Sequence, residues 1–133
     1  MILDTSAIIA ILANESDAEL YIRAISDAPH CKISAGSFIE LGLVIESQFN
    51  IEVSQQCDAL FRRAGIAIEP VTVEQAHIAR QASRDFGKGR HPAGLNFGDC
   101  FAYALAKASG KPLLYKGEDF SRTDIIPAIP LQA

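Results

Sequence analysis

The chain has 133 residues, 49% of them hydrophobic and 21% charged, with a formal net charge of −4. That length fits one domain, residues 1–133, with a core that needs no covalent staples. The apolar fraction excludes a disordered chain, and the acidic balance excludes gripping nucleic acid by bulk positive charge.

Met1–Leu3 reads as a short buried strand, after which Thr5 or Ser6 caps a helix reaching about Ala13. The apolar run Ala7–Ala13 is too short to span a bilayer and follows an acid rather than a basic segment, which argues against a signal peptide. Asn14-Glu15-Ser16 breaks the helix. A second helix runs from Asp17 to Ser26 with Leu20, Ile22 and Ile25 facing inward, and Asp17 and Glu19 favouring its dipole. His30–Ile33 is a weak second strand. Ser34 opens a long helix to about Phe49, whose apolar residues Phe38, Leu41, Val44, Ile45 and Phe49 recur at helical spacing. A helix over Ser54–Ala64 closes on Gly65. Ile66–Glu69 alternates as a third strand, and Val73–Phe86 is helical. Gly87–Gly94 is a long loop carrying Lys88, Arg90 and His91. Asn96 caps an alanine-rich helix, Phe97–Ser109, closed by Gly110. Pro112–Tyr115 is the fourth strand, and Ile125–Ile129 a short last one broken by Pro127. Strands alternating with helices predict an α/β fold with a mainly parallel sheet covered on both faces. The separated cysteines Cys31, Cys57 and Cys100 form no CxxC pair and read as reduced, partly buried thiols of a cytoplasmic protein.

Four acids stand out because each lies in or against a hydrophobic run: Asp4, Glu40, Asp99 and Asp119. Burying a lone carboxylate is costly, so it shifts its pKa, pairs, or binds a cation. In a parallel sheet, sites form outside the carboxyl ends of the strands. Asp4 ends the first strand, Asp119 lies just past the fourth, and Asp99 sits in the first turn of the helix leading to that strand. Acids that converge there would repel one another unless a magnesium-like ion held them. Such a centre hydrolyses phosphodiesters without a Ser, Cys or His nucleophile. Each acid also has a plainer reading: Asp4 as a helix cap, Glu40 on a solvent face, Asp99 at N3 favouring the dipole, and Asp119 with Glu118 in a polar turn.

The run Met1-Ile2-Leu3-Asp4-Thr5-Ser6-Ala7, the spaced Glu40, Asn96-Phe97-Gly98-Asp99-Cys100 and the late Leu113–Phe120 segment together resemble the PIN-domain ribonucleases, and among them the VapC toxins of type II toxin–antitoxin pairs. The resemblance implies a three-layer α/β/α sandwich and a magnesium- or manganese-dependent endoribonuclease. It implies Asp4 and Asp99 as the metal ligands, with Glu40 completing the pocket by holding metal or activating water. Asp119 is implied as the fourth catalytic acid. There the chain departs from the commoner pattern of Thr, one residue, then Asp or Asn, since Tyr115-Lys116-Gly117 stands in those places, and the fourth role stays open between Asp119, Glu118 and supply through water. Thr5 or Ser6 would hydrogen-bond a ligating carboxylate. A homodimer and silencing by a VapB-like antitoxin, whose basic side chain would neutralise the acidic pocket, are also implied.

Several basic residues are candidates for RNA phosphate contacts: Lys88, Arg90, His91, Lys116 and Arg122. Tyr115 and Phe120 fit either base stacking or, better, the core. Leu41, Val44, Ile45 and Leu60-Phe61 offer apolar surface beyond the needs of a small domain. Two other readings compete: a non-catalytic PIN-like module binding RNA or protein, and a doubly wound phosphoacceptor domain using Asp4.

Overall fold

β1 (Ile2–Leu3) lies between two parallel neighbours in the computed structural model, which describes residues 1–130. Ile2 is in register with Lys32 of β2 (Lys32–Ser34) on one side and with Leu113 of β4 (Leu113–Leu114) on the other. β3 (Ala67–Glu69) pairs with the far side of β2, giving an all-parallel order β3-β2-β1-β4. Successive strand side chains point to opposite faces. Both faces are apolar here: Leu3, Ile33 and Leu114 enter one core, Ile2 and Leu113 the other. Helices therefore cover both sides. On the first face α1 (Thr5–Leu12), α2 (Ala18–Asp27), α3 (Ala35–Gln48) and α4 (Ile51–Ala64) contribute Ile8, Tyr21, Ile25, Leu41, Ile45 and Cys57. On the second, α5 (Val73–Phe86) and α6 (Phe97–Ser109) contribute Ala82, Ala102, Tyr103 and Leu105. This is the expected three-layer α/β/α sandwich. Residues 131–133 of the expected single domain lie outside the described residues.

Four local expectations need correction. Asp4, not Thr5 or Ser6, caps α1: its carboxylate accepts the Ser6 N–H. α4 begins three residues early, at Ile51, because the Asn50 side chain accepts the Val53 N–H and so supplies the cap. In α2 the inward stripe is Ala18, Tyr21 and Ile25, while Leu20 and Ile22 flank it and are exposed. The last strand shrinks to a single bridge between Leu113 and Pro127, flanked by bonds from Leu113 N–H to Ile126 O and from Ala128 N–H to Leu113 O. Pro127 has no N–H with which to extend that ladder.

All three cysteines are free and buried. Among the described residues no helix is long and apolar enough to cross a membrane. Leu41 and Ile45 belong to the core, so they are not spare surface. The apolar side chains left in water include Ile39, Leu43, Ile51, Val73, Phe97 and Ile126 instead. The two faces of α3 give a direct check by chemical denaturation. Leu41→Ala, at a position 1% exposed, should cost ~2–5 kcal/mol through transfer and cavity terms. Leu43→Ala, at 62% exposure, should stay within ~0.5 kcal/mol.

Candidate metal centre

The carboxyl end of β1 delivers Asp4 to the mouth of the sheet, where its N–H donates to Leu114 O at 2.9 Å. One oxygen, Oδ2, accepts both the Ser6 N–H at 3.0 Å and the Ser6 hydroxyl at 2.5 Å. Oδ1 is the less encumbered atom, so capping α1 and holding an ion are compatible tasks for one side chain. Asp4 is 4% exposed. Burial pushes its pKa up to about 6; the Ser6 bonds pull against that and the charge of Glu40 adds to it.

Asp99 arrives by a different route. At the start of α6 the Asn96 side chain accepts the Asp99 N–H at 2.9 Å, and Asp99 Oδ2 accepts the Asn96 N–H at 3.0 Å. This reciprocal capping box fixes the first turn and again leaves one oxygen, Oδ1, free. Burial raises the pKa of Asp99 to about 7; the Asn96 bond opposes the rise, and the charges of Asp4, Asp119 and Glu40 reinforce it. A carboxyl that feels three other acids is held among like charges.

Glu40 is half-buried on α3. Its carboxylate lies against Gly98, where any Cβ would overlap Oε2, and one turn earlier Gly36 packs under the Phe101 ring. Two glycines thus let α3 and α6 approach and put Glu40 beside the start of α6. Gly98 is a site residue that the sequence reading missed; the available signal was a glycine inside a helix, directly before an acid. Asp119 is exposed, beyond β4, and its charge bears on Asp99. Its neighbour Glu118 faces Arg122 at 3.8 Å instead.

None of the four acids has a basic partner within ion-pair distance among the described residues. No three His, Cys, Asp or Glu side chains among those residues stand close enough to cage an ion in this arrangement. The donor set still fits a hard cation that keeps several waters, which needs only one or two carboxylates from the protein. Ser37 Oγ, fully buried one turn before Glu40, has no hydrogen-bond partner among the described residues.

The basic candidates divide. Lys88 and Arg90 are exposed on the loop before α6. His91 Nδ1 accepts the Ala93 N–H and its ring meets Phe86 edge-on at 5.2 Å, a structural setting. Lys116 is not free for phosphate either, because its ammonium is bound by Glu15 and by Asp17. Asp17 accordingly serves Lys116 and makes no side-chain cap to α2. Phe120 is buried and Tyr115 packs against it at 5.3 Å, so both belong to the core.

Residues 1–126 match the PIN domain family. The chain is 51% identical over 125 residues to a ribonuclease VapC of Mycolicibacterium smegmatis, covering 94% of this chain and 97% of that one. It is 50% identical over 130 residues to ribonuclease VapC28 of Mycobacterium tuberculosis, covering 97% and 98%. Among solved structures it is similar to VapC20 of M. tuberculosis, a sarcin-ricin loop cleaving toxin, with a TM-score of 0.75, 18% identity and coverage of 94% and 95%. It is also similar to a chain of a toxin–antitoxin complex from Klebsiella pneumoniae, with a TM-score of 0.72, 14% identity and coverage of 98% of each.

Proposed function

The chain belongs to the PIN-domain family, among ribonucleases of the VapC type, and from that premise we propose that it is a metal-dependent endoribonuclease and the toxin of a type II toxin–antitoxin pair. The observation that carries the reading is a pair of acids, Asp4 and Asp99, raised to about 6 and about 7 and without a cationic partner among the described residues. Such a pair is unfavourable for folding unless a cation compensates it.

In this reading Asp4 and Asp99 would hold a magnesium or manganese ion. When bound, that ion supplies charge stabilisation at the scissile phosphate and makes water easier to deprotonate. Glu40, pressed against Gly98, accepts the proton of the attacking water. Asp119, whose charge bears on Asp99, would be the fourth acid, since Glu118 is turned toward Arg122. Lys88 and Arg90, exposed on the loop before α6, would contact RNA phosphates. A VapB-like antitoxin would silence the protein by placing a basic side chain among the four acids. A homodimer would cover the apolar residues that α3 and α6 leave in water, and the protein would act in the cytoplasm.

The test is incubation of antitoxin-free protein with total RNA, with and without magnesium or manganese, beside Asp4→Asn. Discrete cleavage that needs metal and disappears in the variant is the expected outcome; metal-independent cleavage, or cleavage retained by the variant, would overturn the assignment. Asn still caps α1, so the variant keeps its fold.

Gly98→Ala probes Glu40 without touching an acid. The new methyl meets the far end of a flexible side chain, so folding stability should change by less than ~1 kcal/mol. Displacing the Glu40 carboxylate should still lower cleavage by ~10-fold or more, the scale of general-base contributions. Thermal unfolding and a cleavage rate at saturating metal give both numbers.

A further inference from the structure

We propose that Lys116 is a positioning residue for Asp4, acting through Ser6 from a latch built by Glu15 and Asp17. This rests on the reading of Asp4 as a metal ligand, and it concerns Lys116, Glu15 and Asp17, to which that reading gives no role.

Lys116 lies two residues past β4, and its main chain and side chain engage opposite ends of α1. Its N–H donates to Ser6 Oγ at 2.9 Å, while Ser6 Oγ donates to Asp4 Oδ2 at 2.5 Å. At the other end, its ammonium donates to Glu15 and, at 3.1 Å, to Asp17. The turn carrying those acids is itself ordered. Asn14 adopts the left-handed conformation (φ 50°) that asparagine tolerates, and the Glu15 N–H returns to Ala10 O at 3.0 Å. Asp17 is further bound by the Tyr21 hydroxyl at 3.3 Å.

A serine hydroxyl rotates freely and both donates and accepts. With the Lys116 N–H placed on its oxygen, the Ser6 proton is directed at Asp4 Oδ2. That occupies one oxygen of Asp4 and leaves the other for a cation, in a pocket where the charge of Glu40 bears on Asp4 and that of Asp4 on Asp99. The ammonium is partly exposed, with 37% of the Lys116 side chain open to solvent, and ion pairs in such a setting add little to stability. The contribution of the latch is therefore orientation, by holding the loop after β4 in register with the start of α1.

The experiment is calorimetric titration of Mn2+ into full-length wild type, Lys116→Ala, Lys116→Arg, the Glu15→Gln/Asp17→Asn pair, Ser6→Ala and Ser6→Ala/Lys116→Ala. Amide exchange at Ser6 and Lys116 is followed in the metal-free proteins. Lys116→Ala and the acid pair should each weaken Mn2+ binding by about 3- to 10-fold, near the lower end of effects seen for groups behind a ligand. Lys116→Arg should restore binding, and Lys116→Ala should cost nothing more once Ser6 is gone. Both amides should exchange faster in Lys116→Ala. Unchanged or tighter Mn2+ binding in Lys116→Ala would overturn the proposal, because removing a positive charge alone tightens cation binding. Additivity with Ser6→Ala, or a rise in KM for RNA at unchanged Mn2+ affinity, would overturn it as well. Unaltered exchange at both amides defeats the latch irrespective of metal. A wild type that binds no Mn2+ defeats the metal centre first, and the proposal with it.

Discussion

Asp99→Asn should lower kcat/KM for RNA cleavage by ~10³-fold or more, because the charge stabilisation supplied through a bound ion amounts to several kcal/mol. The fold should survive. The Asn96 side chain accepts the main-chain N–H of residue 99, which the substitution does not touch, and an asparagine Oδ1 can still accept the Asn96 N–H at the place of Asp99 Oδ2. What changes is the second atom: an amide NH2 replaces the free carboxylate oxygen and repels a cation. The fourth acid can be read from the same assay. Asp119→Asn should cost ~10- to 100-fold, and Glu118→Gln should leave the rate within about twofold, because its exposed carboxylate faces Arg122. Cleavage by Asp99→Asn within a few-fold of wild type, with unchanged circular dichroism, would remove Asp99 from the site. Equal losses at residues 118 and 119 would remove the distinction drawn between them.

The sheet and the first acid were legible because local rules agree there. An apolar tripeptide followed by Asp, Thr and Ser can be little other than a buried strand running into a helix cap, and only the choice of cap among Asp4, Thr5 and Ser6 was left open. The capping box at Asn96 and Asp99 was similarly visible as an Asn followed three residues later by an acid. The start of α4 was obscured by Ile51 and Val53, whose β-branches disfavour helix. Packing of Val53 on the first core and the Asn50 cap outweigh that preference. α2 misled in another way: Leu20 and Ile22 are as apolar as Ile25, and only the position of the neighbouring layer selects Tyr21 over them. The contacts that shape the site are the least legible. Glu40 against Gly98 and Lys116 against Glu15 join segments far apart in sequence, and no local periodicity encodes them. An acid in a first helical turn and a lysine in a loop each have an ordinary solvent-facing explanation until the fold brings them to a partner.

The second large effect concerns stability without metal. Asp4 and Asp99 have folded pKa values of about 6 and about 7, against an ordinary aspartate value of 3.8. Between roughly pH 4 and pH 7 the folded protein therefore binds more protons than the unfolded chain, so stability falls as pH rises across that window and levels off above it. For Asp4, which is fully buried, the shift corresponds to roughly 3 kcal/mol at about 1.4 kcal/mol per pH unit. Asp99 is more open to solvent and the two acids are coupled, so their shares do not simply add. A loss of about 2–3 kcal/mol from pH 5 to pH 8 is expected, which for a domain of this size lowers Tm by ~6–12 °C. The Asp4→Asn/Asp99→Asn protein should show a flatter profile and exceed metal-free wild type in Tm at pH 8. The depressed carboxyls Asp17 and Asp124 titrate below this window, and they cancel in the difference between the two proteins. Magnesium or manganese at ~100 times its Kd should return about 2.7 kcal/mol to wild type at pH 8. It should return much less at pH 5, where protons occupy the same oxygens, and none to the double variant. Tm profiles that run parallel from pH 5 to pH 8, or an equal metal shift in both proteins, would mean that these two acids do not form the cation site.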